Sequence, residues 1–156
     1  MKNQKGFSLV ELLVVVIIIA IIAAIAIPSL LASRRAANEA SAISALRTIH
    51  SAEVTYFSTS GGNANYGDLA TLLGDGLIDA TLAGATAAAS SKSGYYYTYS
   101  AGTSAYCMTA TPASTGITGT GNRWFGVSTP GVIYAAAAPA TVVCTAGVIS
   151  GGTAIQ

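Results

Sequence analysis

The chain has 156 residues, only 8% of them charged, and a formal net charge of +1. That length suits one domain plus a further segment, and the near-neutral balance, with no basic patch, argues against binding a phosphate backbone. After Asp79 the only charges are Lys92 and Arg123, in a stretch rich in Ala, Gly, Ser and Thr; such a surface suits close packing against neighbours better than free solution.

The chain begins with Lys2 and Lys5, then Gly6-Phe7-Ser8-Leu9-Val10-Glu11, then an unbroken apolar run from Leu12 to Ile27. A carboxylate in hydrocarbon costs roughly 2.5–3.5 kcal/mol on insertion scales, so Glu11 reads as functional and in need of a partner. The pattern predicts one long helix from Phe7 to about Ser58. Its first part, residues 7–31, is long enough to cross ~30 Å of hydrocarbon and is apolar all round, as a membrane span or a filament core must be. Ala20, Ala23, Ala24 and Ala26 permit close helix approach. Pro28 lacks a donor and clashes with the Ala24 carbonyl, which predicts a kink or local melting. Ala24-Ile25-Ala26 has the form of a secretory cleavage site, but Glu11 just before the apolar run and Ile27-Pro28 just after the site argue against that reading. Residues 32–58 form the amphipathic half of the same helix. Ile43, Leu46, His50, Val54 and Phe57 recur at three- and four-residue spacing and predict the face that packs on the head. Glu39 and Glu53 read as flanking that stripe or facing away from it.

Ser58 to Asn63 carries breaker chemistry and ends the helix. The head, residues 59–156, opens with a short helix over Asp68–Leu73, capped by Asp68, and a turn at Gly74-Asp75-Gly76. Thr86 to Lys92 reads as loop. Four strand signals follow at Gly94–Tyr99, Ala105–Ala110, Arg123–Val127 and Val132–Tyr134, the first pair joined by a Gly-Ser turn and the last by a Pro-Gly turn. The expected fold is α+β: a long N-terminal helix packed against a four-stranded antiparallel sheet. Pro139 to Gln156 carries few order signals, and a cross-link through Cys144 would pin it.

No catalytic set is visible, and no cofactor or metal is expected. The one histidine, His50, lies on the apolar stripe, where a packing role is the commoner reading. The head has no carboxylate pair at general-acid spacing and no phosphate-cradling glycine motif. The Tyr95–Tyr99 run reads as sheet packing before it reads as a stacking platform. Cys107 and Cys144 are the only cysteines. Outside a reducing compartment they read as one disulfide; a metal site is the poorer reading, with no His nearby and no Asp or Glu after Asp79.

Lys5-Gly6-Phe7-Ser8-Leu9-Val10-Glu11-Leu12-Leu13 resembles the class III signal of type IV prepilins and pseudopilins. The resemblance implies that residues 1–6 are a leader removed by a prepilin peptidase after Gly6. Phe7 becomes the methylated amino terminus and Glu11 the fifth mature residue. Pro28 falls where many members carry a helix-bending proline, whereas Ala20 stands where many carry a glycine, which predicts a stiffer segment between them. Without the leader the side chains total five basic against six acidic. The implied partners are the inner membrane before assembly, the peptidase and assembly machinery, and copies of the chain in an extracellular helical filament; no specific nucleic acid is expected. Ser33-Arg34-Arg35 at the far end of the span divides the loop-charge signal; the class III signal places the amino terminus inside and the head outside.

The resemblance implies a non-enzymatic structural subunit, a major pilin in which Phe7, Glu11 and Pro28 serve assembly. Two other readings share the same amino terminus. One is a pseudopilin of a type II secretion or competence system. The other is a minor pilin or adhesin that contacts a surface or DNA. Major pseudopilins of type II secretion usually bind calcium through acidic groups late in the head. Calcium needs several hard oxygen ligands, and the lack of Asp and Glu after Asp79 disfavours such a site.

Overall fold

The computed structural model describes residues 6–102 and 104–155; Lys2, Lys5 and Thr103 of the Gly-Ser turn lie outside the described residues. The chain divides into two compact units between Arg34 and Arg35. Helix α1, Leu9–Ser58, runs from the first unit into the second and contains Pro28 without interruption. The local melting expected at Pro28 is therefore absent. A proline deletes one hydrogen bond, and the Ile, Leu and Ala residues around it keep propagating the helix.

In the second unit α1 buries Glu39, Ala42, Ala45, Leu46, Ile49, Ala52 and Glu53. The line 39-42-46-49-53 follows alternating steps of three and four, the geometry of one helix face. This corrects the predicted stripe. Leu46 lies on the buried face, but Val54 is 51% exposed, while Glu39 and Glu53 are inside. Three alanines and two glutamates make up most of this face, and their weak hydrophobic signal hides it from a reading keyed to large side chains. Glu39 is fully partnered, accepting from Arg123 Nε at 2.7 Å and from the Asn122 backbone at 3.1 Å, whereas Glu53 accepts only from the Gly67 backbone, at 3.0 Å.

Helix α2, Leu69–Gly74, is capped by Asp68, whose side chain accepts from the Thr71 backbone. A second short helix, α3 at Ala80–Ala83, is capped in the same way by Asp79. The predicted loop over Thr86–Lys92 contains a 3-10 turn at Ala88–Ser90, and Lys92 forms an isolated bridge to Tyr95.

The sheet consists of β1 (Tyr95–Gly102), β2 (Ala105–Pro112), β3 (Arg123–Ser128), β4 (Ile133–Ala137) and β7 (Thr153–Ala154), in the order β1-β2-β3-β4-β7. Every neighbouring pair is antiparallel. The four predicted strands thus form the sheet in chain order, and the tail adds a fifth. The tail also forms a separate hairpin of β5 (Val143–Thr145) and β6 (Val148–Ser150), so the weak order expected after Pro139 is a second correction. Ala146 and Gly147, both at positive φ, make the tight turn whose twist matches the flanking strands.

Alternation sorts the sheet into two faces. Tyr95, Tyr97, Tyr106, Met108, Phe125, Val127 and Ile133 join Leu46, Ile49, Leu72 and Leu82 in one core. Cys107 and Thr109 fall on the opposite face and are also buried. There the β5–β6 hairpin covers β2 and β3. A Cβ at Gly126 would meet Val142 Cγ1 at 2.6 Å and Ile149 Cδ1 at 2.7 Å, so the missing side chain makes room for the hairpin. A disulfide joins Cys107 to Cys144 and ties the hairpin to β2.

Candidate functional site

The first unit carries the residues singled out for processing and assembly. Gly6 and Phe7 precede the helix, and Phe7 is 83% exposed. Among the described residues nothing lies within 4 Å of where a Cβ on Gly6 would stand. Helix α1 starts at Leu9, two residues later than the sequence pattern placed it. Ser8 is the reason. Glu11 Oε2 accepts a hydrogen bond from the Ser8 backbone N–H at 2.8 Å, and the Ser8 carbonyl accepts from the Leu12 N–H at 3.3 Å. Ser8-Leu9-Val10-Glu11 therefore holds the Glu half of a capping box. That role of Glu11 was missed, although the spacing of Ser8 and Glu11 announces it. A carboxylate in the first turn also faces the positive end of the helix dipole.

The helix does not bring Phe7 and Glu11 together as an ion pair. In the uncut chain the Phe7 nitrogen is a peptide amide, so a charged terminus there requires cleavage after Gly6. Behind Glu11 the apolar segment is bare. Leu12, Val16, Ile19, Ile22, Ile25 and Ile27 are each 56–73% exposed, and no residue in the most apolar stretch is buried. This is far more contiguous apolar surface than a soluble chain leaves in water. The helix is long and apolar enough to cross a membrane.

The head carries little charge chemistry by contrast. Its two late cations are both paired with earlier carboxylates. Lys92 Nζ lies 2.8 Å from Asp79 Oδ2, and Arg123 Nε 2.7 Å from Glu39 Oε2. The hydrogen bond from Lys92, with a second from Thr81 Oγ1, holds the Asp79 carboxyl well below the usual range. His50 is half-buried and its Nδ1 lies 2.5 Å from the Tyr106 hydroxyl. Burial lowers its pKa, and the ring shares a hydrogen bond with the Tyr106 hydroxyl whose direction the tautomer sets. Gly131 fits against the same ring, since a Cβ there would stand 2.6 Å from His50 Nε2. His50 is thus a packing residue with a satisfied nitrogen. Among the described residues no group of three or more His, Cys, Asp or Glu side chains could hold a metal ion.

Residues 1–27 match the family model described as the prokaryotic N-terminal methylation motif. No curated protein and no solved structure matches the chain. That motif, with the bare apolar helix behind it and an α+β head, gives the chain the class III signal of a type IV pilin-type prepilin.

Proposed function

We propose that this chain is the major subunit of a type IV pilus, assembled from the inner membrane into an extracellular filament of its own copies. The observation that carries this reading is the bare apolar segment directly behind the methylation motif. In the membrane, lipid covers it; in a filament, neighbouring copies do so. At ~25 cal/mol per Å2 of apolar surface, sheltering so many half-exposed Leu, Ile and Val side chains from water is a large driving term. The head supports the same reading. Its late charges are neutralised in pairs, which leaves a surface of small uncharged side chains that neighbours can approach. The lack of carboxylates after Asp79 favours a pilin over a calcium-binding pseudopilin.

In this reading a prepilin peptidase cuts after Gly6, and the new Phe7 terminus is methylated. Glu11 then exchanges its bond to the Ser8 N–H for the Phe7 amine of a neighbouring copy, and so sets the register of assembly.

Mass spectrometry of sheared surface filaments tests the proposal. The expected result is this chain as their bulk protein, beginning at methylated Phe7. A chain held in the membrane fraction and missing from sheared material would point to the pseudopilin reading, and a trace component to a minor pilin. A mature terminus at Ile27 would replace the prepilin cut with secretory cleavage.

A further inference from the structure

Glu53 is the least expected side chain in the head. It is fully buried, with 0% of its surface exposed. Oε2 accepts from the Gly67 backbone N–H at 3.0 Å, and Oε1 has no partner. Neither of the ion pairs found among the described residues includes it. The Asp68 carboxylate acts on it from the start of α2. The hydroxyls of Tyr99 on β1 and Tyr106 on β2 both feel its charge. Tyr66 and Tyr56 complete that tyrosine cluster, and burial lowers the pKa of His50, one turn back on α1. The Tyr99 hydroxyl is itself buried without a partner. Tyr99 and Asp68 also line a cavity of about 300 Å3.

The one protein hydrogen bond of Glu53 fastens a turn with the marks of a hinge. Gly62 and Asn63 both sit at positive φ. The Gly61 and Asn63 amides bond back to the end of α1, on the Tyr56 and Phe57 carbonyls. At the far end Gly67 is held by Glu53. Between these points Tyr66 stacks on Phe57, with ring centroids 4.7 Å apart, and tilts against Tyr106 at 4.8 Å. Gly67 lies close on the Tyr56 ring, where an added Cβ would come within 3.3 Å.

We propose that Glu53 is a protonation-dependent latch that keeps the Gly61–Gly67 turn closed over the Phe57–Tyr66–Tyr106 stack in acid and releases it in alkali. A neutral carboxyl spares the buried site a charge and keeps the Gly67 bond. An ionised one strengthens a single hydrogen bond but leaves its charge in a dry cluster of hydroxyls beside another carboxylate. Swinging the turn outward lets water reach it. Burial raises the pKa of closed Glu53 from the ordinary 4.5 to about 7. The sign follows from linkage. The closed form keeps its proton between these two values while the open form has lost it. Closure is therefore fully favoured below the ordinary value and weakens as pH rises through about 7. The latch lies wholly within the head and stands whether or not the chain forms filaments.

Site-resolved hydrogen exchange on the full chain in detergent micelles tests it, with rates corrected for the intrinsic effect of pH. The Gly67 amide is expected to lose protection by roughly 50-fold from about pH 5 to about pH 8, while Ala110 on β2 and Val127 on β3 hold theirs. Glu53→Gln, which keeps the shape without the charge, is expected to give a flat profile. Carboxyl-carbon NMR of the unaltered chain reads the same group without a mutation and is expected to show titration near neutrality. The latch is wrong if Gly67 protection is flat in the unaltered chain, or if it falls equally in Glu53→Gln. Loss spread uniformly over β1–β4 would mean global destabilisation instead, and a carboxyl titrating near the ordinary Glu value would remove the switch.

Discussion

Glu11→Gln cells are expected to cut the precursor after Gly6 and insert it in the membrane, yet to yield almost no surface filaments. The substitution keeps the shape of the side chain and retains an oxygen that can accept from the Ser8 N–H, so the helix start seen at 2.8 Å survives. It removes the charge. In a filament core the Phe7 amine would then lose the only carboxylate in the first 38 residues. Leaving one partner of a buried pair alone costs ~3–5 kcal/mol, and a helical array repeats that cost at every subunit. Glu11→Ala loses both charge and capping bond and is expected to be at least as defective in assembly. Insertion itself is not harmed, because a charge costly in hydrocarbon is gone. Glu11→Asp keeps the charge with a shorter reach and is expected to be intermediate. Quantifying sheared filaments against membrane-held mature chain separates assembly from processing. Glu11→Gln filaments at wild-type amount and rate would remove the charge-pairing mechanism while leaving the prepilin assignment in place.

Breaking the Cys107–Cys144 bond is the second large effect. The two residues are 37 apart in sequence. Closing a loop of that size is worth about 3–4 kcal/mol in the chain-entropy model, which corresponds to a fall in Tm on the order of 10 °C for a chain of this size. The loss has a definite place in the structure. The β5–β6 hairpin is held on β2 and β3 by this bond and by Val142 and Ile149 packing on Gly126. Beyond it, the tail returns to the sheet through the two-residue β7 and an Ile155 to Ile133 bond. A Cys107→Ala/Cys144→Ala chain is thus expected to lose amide protection from Pro139 onward first, with α1 and β1–β3 retained at moderate temperature. Thermal melting and hydrogen exchange of the full chain in detergent check both parts. Unchanged melting, or protection lost first in α1, would show that the staple does not carry the tail. Non-reducing peptide mapping of exported protein that finds both thiols free would remove the bond from the working molecule.

Local chemistry determined much of this protein without reference to the fold. The amino-terminal motif, the apolar run behind it and the helix through Ser58 are contiguous patterns whose meaning depends only on neighbours three or four residues away. The same holds for the Asp68 cap and the four strand signals, which rest on alternation and on turns with Gly and Pro. Ser8 and Glu11 belong in this group as well, since their spacing carries the capping bond. The tertiary structure decided what depends on residues far apart. Glu39 turns inward because Arg123, more than eighty positions later, meets it. Glu53 is buried because Gly67 and the strand tyrosines close over it. The alanine-lined face of α1 becomes core only because a sheet of large aromatic side chains fills the space that small residues leave. The tail acquires strands because Gly126 opens a seat on the sheet and Cys107 waits beside it. In each case the sequence holds the partners, but their free energy of contact exists only once chain entropy has been overcome and distant segments meet. Patterns of local spacing are blind to that condition.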